Sequence, residues 1–272
     1  MTTAVFRNQA PVPAAHFTDL PVEVDPDMIV IGGGATAAET PNGALLTASY
    51  PNDSRSAWLA SSKDHRVPNP HSLTAFAIGM KVNSADMPRT KLKESLLYTR
   101  ATGAESNHPR AIAGVPDGFT MVGGGFRVNW PPGAGNLVTG SFCGDLDTTH
   151  DWEARSKDHI TPSPCTIDVW SVAIRSTLGV GGHVFRVDRR IDRRTSTDLV
   201  SHPFAELVFE GAHVLTGVGA KARVEEPGQL IWRLEPTAAG GRPGVTGGSK
   251  DHQLALKSII SVSALGIRLI PN

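Results

Sequence analysis

The chain is poor in several features that define specialised protein classes. Only two cysteines occur, Cys143 and Cys165, so a disulfide scaffold is excluded; two buried thiols are favoured over a single bridge. The 26 basic and 26 acidic residues cancel, which gives no indication of nucleic acid as a partner. No stretch approaches the ~18 apolar residues of a membrane-spanning helix. Residues 1–15 do not resemble a secretory signal. We therefore expect no membrane span, and a cytoplasmic location or release by a non-classical route.

One tetrapeptide, Ser-Lys-Asp-His, occurs three times in the 272 residues. The copies begin at Ser62, Ser156 and Ser249, with spacings of 94 and 93 residues. A fixed period of this length indicates internal repeats. We divide the chain into repeats 1–92, 93–182 and 183–272, which together form a single pseudo-threefold domain.

Other residues follow the same period. The glycine cluster Gly32-Gly33-Gly34 returns as Gly123-Gly124-Gly125 and as Gly217-Val218-Gly219. Trp58 and Trp152 each stand four residues before the serine of their tetrapeptide, and Val245 takes that place in the third repeat. Histidines upstream of the tetrapeptides are also equivalent, namely His16, His108 and His202. Six of the ten histidines thus lie at threefold-related positions.

The local pattern within each repeat is that of β-strands. Residues 72–82, 166–174 and 259–267 are alternating runs rich in β-branched side chains, and shorter runs lead into each glycine cluster. The best helical candidate, Thr90–Thr99, has no counterpart in the other repeats. We predict an all-β fold.

Three repeats that each leave open strand edges can close around a common axis. This favours a pseudo-threefold β-prism whose three antiparallel sheets share one core. The alternatives are a six-bladed β-propeller, with two blades per repeat, and three separate β-sandwich units.

The first glycine cluster matches the dinucleotide-binding fingerprint by letter, but Pro41-Asn42-Gly43 leaves no room for the helix that must follow it. We interpret the glycines as a strand bulge or a close backbone approach near the axis. No cofactor is predicted.

The repeated tetrapeptide has a structural and a functional interpretation. As a strand end, it places Trp58, Ala60 and Ser62 on one face and Lys63 towards solvent. Asp64 then fixes a turn by accepting a backbone N–H two residues on, and the histidine pins the loop through a carbonyl group. A serine–histidine–aspartate triad within one segment is excluded, because residues this close in sequence cannot make both hydrogen bonds.

The functional interpretation assigns ligand binding to the lysine, aspartate and histidine of each copy. Three equivalent copies favour repeated binding sites over one active site, as in lectins with one sugar pocket per repeat. The candidate ligand-binding residues are Lys63, Asp64, His65, Lys157, Asp158, His159, Lys250, Asp251 and His252. A weaker alternative brings three histidines together on the axis as zinc ligands.

A unique activity is expected where the repeats differ. The middle repeat carries Asp145, Asp147, His150 and Asp151 in one segment, which suits a polar hairpin tip or a site for a hard cation or acid–base chemistry. The third repeat carries Glu225 and Glu226 before Pro227, which we interpret as a turn.

The combination of glycine cluster, Leu45–Pro51, Trp58, the tetrapeptide and Leu73–Gly79 resembles repeat modules of uncharacterised bacterial proteins. The resemblance covers about 50 residues of each repeat and implies a bacterial source and a β-rich module. The threefold plan is similar to β-prism proteins, namely the vitelline membrane outer layer family and jacalin-type lectins. We expect a lectin-like protein, in a toxin system or elsewhere, that binds a glycan or small molecule at up to three sites. The alternative is an enzyme of hydrolase, lyase or cyclase type with one pocket of histidine and aspartate residues.

Overall fold

The computed structural model describes residues 1–40, 43–133, 135–144, 150–223, 228–237 and 242–272. Within these ranges the regular structure is β-strand apart from one short helix, α1 (Arg89–Glu94). The all-β prediction is confirmed. No helix in the same ranges is long and apolar enough to cross a membrane. Both cysteines are buried free thiols, as expected.

The three thirds of the chain contain six, seven and six strands. The first third contains β1 (Thr2–Gln9), β2 (His16–Glu23), β3 (Ile29–Thr36), β4 (Leu45–Pro51), β5 (Ala57–Lys63) and β6 (Thr74–Lys81). The middle third contains β7 (Leu96–Thr102), β8 (Arg110–Gly114), β9 (Phe119–Asn129), β10 (Asn136–Cys143), β11 (Asp151–Asp158), β12 (Thr166–Arg175) and β13 (Thr177–Val180). The last third contains β14 (His183–Thr195), β15 (Phe204–Val208), β16 (Val214–Ala222), β17 (Leu230–Thr237), β18 (Gly244–Lys250) and β19 (Ile260–Pro271).

The predicted helix Thr90–Thr99 is only half correct. The helix ends at Glu94, and the following residues enter β7, which pairs with β12 from Leu96↔Ile174 to Thr102↔Asp168. Pairing with a distant strand outweighs the local helical preference of this segment, because it satisfies the backbone groups in a ladder.

The strands form three antiparallel sheets. Sheet I has the order β1-β6-β3-β17-β18-β15, sheet II has β7-β12-β9-β4-β5-β2, and sheet III has β13-β14-β19-β16-β10-β11-β8. Each sheet therefore joins three strands from one third of the chain to three strands from another, with the same relative order; β13 is an addition to sheet III. This sharing excludes three self-contained sandwich units, and the fold has three parts.

The glycine clusters lie where the three central strands β3, β9 and β16 meet. A Cβ atom on Gly32 would lie 2.4 Å from the carbonyl oxygen of Thr216, and one on Gly217 would lie 2.6 Å from that of Val122. A β-bulge adjoins the cluster in each strand. The predicted close backbone approach is confirmed, and only glycine fits it.

The next glycine of each cluster makes room for a tryptophan. A Cβ atom on Gly33 would lie 2.5 Å from the Trp58 ring, and one on Gly124 would lie 2.3 Å from the Trp152 ring. Where the third repeat has Val245 in place of the tryptophan, Val218 replaces the glycine, and both valines are buried in the core cluster. That cluster draws side chains from all three sheets, so the sheets share one apolar core.

Candidate functional site

The three Ser-Lys-Asp-His segments converge in the interior of the protein. His65, His159 and His252 are at most 1% exposed and form a triangle with ring centroids 5.8, 5.1 and 5.3 Å apart. The rings meet edge to face, with interplanar angles of 62–70°. Residues separated by a third of the chain thus become direct neighbours, and we call this arrangement the histidine triangle.

Hydrogen bonds pass around the triangle from ring to backbone. Nε2 of His65 donates to the carbonyl oxygen of His159 at 2.9 Å, and Nε2 of His159 donates to that of His252. The prediction that the histidine pins its loop through a carbonyl is confirmed, with the difference that the carbonyl belongs to another copy. The histidines therefore tie the three thirds of the chain together.

Each histidine is followed by the same strained turn. The residues after it, Arg66, Ile160 and Gln253, have φ of 60°, 66° and 63°. The next backbone N–H in each copy donates back to the histidine carbonyl, at 2.6–2.8 Å. A γ-turn with positive φ is rare, and for a β-branched residue such as Ile160 it is costly.

The triangle does not have the form of a zinc site. Its rings contact one another, and two of the three Nε2 atoms are directed at carbonyl oxygens. Among the residues that the structure describes, no group of three or more histidine, cysteine, aspartate or glutamate side chains could hold a metal ion. The zinc alternative has no geometric support here.

The aspartates of the three copies share the same two contacts. One carboxylate oxygen of Asp64, Asp158 and Asp251 accepts the backbone N–H five residues on, at 2.9–3.2 Å. The expected partner two residues on is wrong, because the chain makes the γ-turn first and a wider loop closes around the carboxylate. The predicted turn-fixing role is nevertheless confirmed.

The other carboxylate oxygen faces the upstream histidine of the same repeat. The pairs are His16–Asp64 at 3.2 Å, His108–Asp158 at 3.1 Å and His202–Asp251 at 3.4 Å. Each aspartate side chain is 13% exposed, so these pairs lie at the surface above the buried triangle.

The expectation that Lys63 points to solvent is wrong. Lys63, Lys157 and Lys250 are at most 2% exposed. The ammonium group of Lys63 lies 4.0 Å from the centre of the Trp130 ring and donates to the carbonyl of Gly133 at 3.2 Å. Lys250 donates to the carbonyls of Ala38, Glu39 and Gly43. These loops come from another third of the chain and cover the lysines.

Burial also changes the chemistry of the lysines. Desolvation lowers the pKa of Lys63 to about 8 and that of Lys250 to about 7.

Six of the nine candidate ligand-binding residues, the three lysines and the three histidines, are buried. Asp64, Asp158 and Asp251 are partly exposed. The assignment of all nine to ligand binding remains a prediction.

His71, to which the sequence assigned no role, closes the loop after the first tetrapeptide. Its Nε2 lies 2.8 Å from Ser62 Oγ, and its Nδ1 donates to the carbonyl of Asn69 at 3.0 Å. In the other repeats an amide side chain makes the equivalent bond, from Asn136 at the start of β10 to Ser163 and from Gln229 just before β17 to Leu256. The three loops are held at the same point by different side chains.

An open cleft of about 460 Å³ lies on the outer face of sheet II, where β2, β5 and β4 meet β9. We call it the sheet II cleft. Its polar and aromatic lining includes His16, Asp19, Ser61, Arg127, Asn129 and Trp130. A volume of several hundred Å³ with a few converging polar groups is typical of small-ligand sites.

Asp19 is held in the cleft by a β-bulge and by two side-chain hydrogen bonds. It lies in a β-bulge of β2 with φ of 53° and accepts hydrogen bonds from Tyr50 Oη at 2.9 Å and Ser61 Oγ at 3.2 Å. Burial and the Asp19 carboxylate raise the pKa of Tyr50 to about 12, so Tyr50 is a neutral donor. Arg127 also contacts the Tyr50 hydroxyl at 3.3 Å. Aspartate adopts positive φ more readily than most residues, so the bulge places this carboxylate in the cleft at little backbone cost.

The corresponding positions on the other two sheets are filled differently. On sheet III, Arg155 takes the place of Ser61. Its guanidinium forms a salt bridge with Glu153 and lies over the Phe142 ring. On sheet I, Trp232 packs against Gly248, where a Cβ atom would lie 2.8 Å from the indole. The equivalent cleft on sheet III, lined by His108, Thr139, Arg155 and Ser156, is smaller, at about 260 Å³.

Sequence reasoning missed Asp19, Arg127 and Trp130, because strands from different thirds bring them together. The sequence carries no signal for Asp19, because the bulge that holds it, which β8 and β15 lack, is visible only in the strand register. Of the segment predicted as a unique site, His150 is exposed and Asp151 begins β11. Asp145, Asp147, Glu225, Glu226 and residues 41–42 lie outside the described residues.

Comparison of the chain with protein-family models and with curated proteins gives no match. The class of protein is therefore defined by the fold alone, a three-sheet antiparallel β protein with a threefold strand order.

Proposed function

We propose that the chain is a lectin-like protein on a pseudo-threefold β-prism and that it binds a glycan in the sheet II cleft. The observation that carries the proposal is the half-buried indole of Trp130 beside Asp19, Arg127 and Asn129 in an open cleft. Glycans present both apolar C–H faces and many hydroxyl groups, so they suit an aromatic wall surrounded by planar hydrogen-bonding side chains.

Two residues of the first tetrapeptide contact side chains that line this cleft. The Lys63 ammonium against Trp130 holds the indole in place, and Asp64 orients His16 at the rim. The tetrapeptide then contributes to binding indirectly, through residues of the cleft. Because the three outer faces differ, we expect one glycan per chain at this site.

A glycan array followed by calorimetry on the best ligand tests the proposal. Trp130→Ala is expected to weaken binding by about tenfold or more, in line with a central aromatic contact. His16→Ala is expected to weaken it less. His108→Ala, which removes the equivalent histidine on sheet III, is the matched control and leaves affinity unchanged. No ligand on the array, or a bound glycan indifferent to Trp130→Ala, contradicts the proposal.

An enzyme is the second candidate, because the cleft combines the His16–Asp64 pair with Asp19 at a positive φ. A histidine paired with a carboxylate is suited to general acid–base catalysis. Incubation of the bound glycan with the protein, followed by mass spectrometry, decides between the two. Cleaved or rearranged product that disappears in His16→Ala supports an enzyme, and unchanged glycan supports a lectin.

A further inference from the structure

Sheet II carries a row of stacked side chains across its outer face. The rings of Tyr50 and Trp170 stack with centroids 4.7 Å apart and an interplanar angle of 21°. The Arg100 guanidinium lies 5.1 Å from the Trp170 ring and pairs with Asp168 at 2.7 Å. Thr102 Oγ1 donates to the same carboxylate at 2.6 Å. An indole and a carboxylate thus lie side by side between an arginine and a threonine.

Sheet III has the same row with two groups replaced. In sheet II, Arg100 pairs with Trp170 and Thr102 with Asp168 along β7 and β12. In sheet III the equivalent strands β14 and β19 pair Arg193 with Ser263 and Thr195 with Ser261. The arginine and the threonine are therefore retained, whereas serine replaces both the indole and the carboxylate.

The missing groups leave a cleft of about 320 Å³ on sheet III. Its lining includes Phe142, which corresponds to Tyr50, together with Arg193, Thr195, Ser261 and Ser263. Lys221 also lines the cleft, with its ammonium 4.9 Å from the centre of the Phe142 ring. The cleft thus combines an aromatic wall, hydroxyl groups and basic side chains.

Sheet I shows that the gap is specific to sheet III. There Phe76 occupies the position of Trp170 and Ser263, is 6% exposed and pairs with Arg7. An aromatic side chain of the protein fills this row on sheets I and II, and only sheet III has a serine at this position.

We propose that the sheet III cleft binds a small molecule with a flat apolar ring and a carboxylate, which takes the places of the Trp170 indole and the Asp168 carboxylate. The ring stacks on Phe142, as Trp170 stacks on Tyr50. The carboxylate accepts hydrogen bonds from Arg193, which also donates to the Gly144 carbonyl at 2.8 Å, and from one hydroxyl of the Thr195–Ser261 pair, whose oxygens lie 2.8 Å apart. This site is separate from the sheet II cleft and does not depend on glycan binding.

Calorimetry with three probes tests the chemistry of the ligand: indole-3-acetate, the neutral indole-3-ethanol and acetate. Indole-3-acetate is expected to bind at one site per chain. The other two are expected to bind about tenfold to a hundredfold more weakly, since each lacks one of the two recognised groups. Equal affinity for the neutral probe, or no binding of indole-3-acetate, overturns the proposal.

Two variants locate the site. Ser263→Trp restores the indole of sheet II and is expected to abolish binding of indole-3-acetate. Arg193→Gln keeps the cleft open and is expected to bring indole-3-acetate to the affinity of the neutral probe. Since Ser263→Trp adds volume near the core, its folding is checked by circular dichroism, and Arg193→Gln decides the outcome if it unfolds. Binding unchanged in Arg193→Gln overturns the assignment.

A gain of binding provides the converse test. Trp170→Ser combined with Asp168→Ser makes the sheet II row resemble that of sheet III. This variant is expected to bind two molecules of indole-3-acetate per chain, whereas an unchanged stoichiometry in a folded variant counts against the replacement argument.

Discussion

Nε2 of His65 lies 2.9 Å from the carbonyl oxygen of His159, although 94 residues separate them. The carbonyl also accepts the N–H of Thr161 within its own γ-turn. A single buried oxygen therefore holds one turn closed and joins two thirds of the chain. Polar groups buried this deeply are stabilising only while their partners remain in place.

His65→Ala is expected to lower the free energy of unfolding by about 2–4 kcal/mol, because it removes a buried ring and leaves a carbonyl without one of its donors. Urea denaturation measures the change. His183→Ala, at an exposed histidine of β14, is the matched control and should stay within about 0.5 kcal/mol of the native chain. A small effect for His65→Ala contradicts a stabilising role of the histidine triangle.

The glycine–tryptophan pairs predict energetic coupling across the core. Gly124→Val places a side chain against the Trp152 ring and its Cβ 2.5 Å from the Trp170 carbonyl oxygen. Trp152→Val leaves a cavity, so each change alone is expected to cost about 3 kcal/mol or more. The third repeat tolerates valine at both equivalent positions, Val218 and Val245.

The double variant Gly124→Val/Trp152→Val should therefore lose less stability than the sum of the single variants, by about 0.5–3 kcal/mol. Denaturant unfolding of all four proteins gives the coupling free energy. Gly179→Val is the control, since no atom lies within 4 Å of an added Cβ. Strict additivity for the core pair would falsify the complementary packing.

The regular strands and the glycine approach were predictable from the sequence because they depend on local alternation and on a repeat period. The burial of Lys63 was not predictable from the sequence. Alternation from Ser62 places it on the outer face, which is correct, but residues 130–133 cover that face, and they belong to the middle third. Sequence alternation distinguishes the two faces of a strand and does not show what covers either face.

The candidate site was unpredictable for the same reason. The sheet II cleft forms where β4 meets β9 through the short pairing Ala48↔Arg127 and Ser49↔Phe126. Nothing in the local pattern of either strand indicates this partner. The bulge that turns Asp19 into the cleft is likewise visible only in the register with β5. Residues that unite distant strands require the topology.

The buried lysine of the third repeat predicts a pH dependence of stability. Desolvation lowers the pKa of Lys250 from 10.5 to about 7 in the folded protein. Between these pH values the unfolded chain binds a proton that the folded chain does not bind. This contribution to the free energy of unfolding therefore rises with pH from about 7 to 10.5 and is constant below that window.

Urea denaturation at several pH values across this window measures the slope. Lys250→Met is expected to show a smaller increase with pH than the native chain, because methionine cannot titrate. Lys257→Met, at an exposed lysine of the same segment, should leave the native slope unchanged. If the free energy of unfolding changes equally with pH in the native chain and in Lys250→Met, the prediction is wrong. The three carbonyl oxygens then keep the Lys250 ammonium group charged in the folded protein.

The γ-turn at Ile160 predicts a stabilising glycine substitution. Ile160 has φ of 66° and is 47% exposed, so its side chain contributes little burial while its backbone is in the left-handed region. That conformation costs an L-residue about 1–2 kcal/mol, and glycine adopts it freely. After the entropy that glycine gains in the unfolded chain is subtracted, Ile160→Gly should raise the free energy of unfolding by about 0.5–1 kcal/mol.

The control is Ile112→Gly, at a 43% exposed isoleucine in β8 whose φ is negative. This change should lower the free energy of unfolding by about 1 kcal/mol. Thermal and urea denaturation of the two variants compare these opposite signs, and destabilisation by both would show that the turn at Ile160 is not strained.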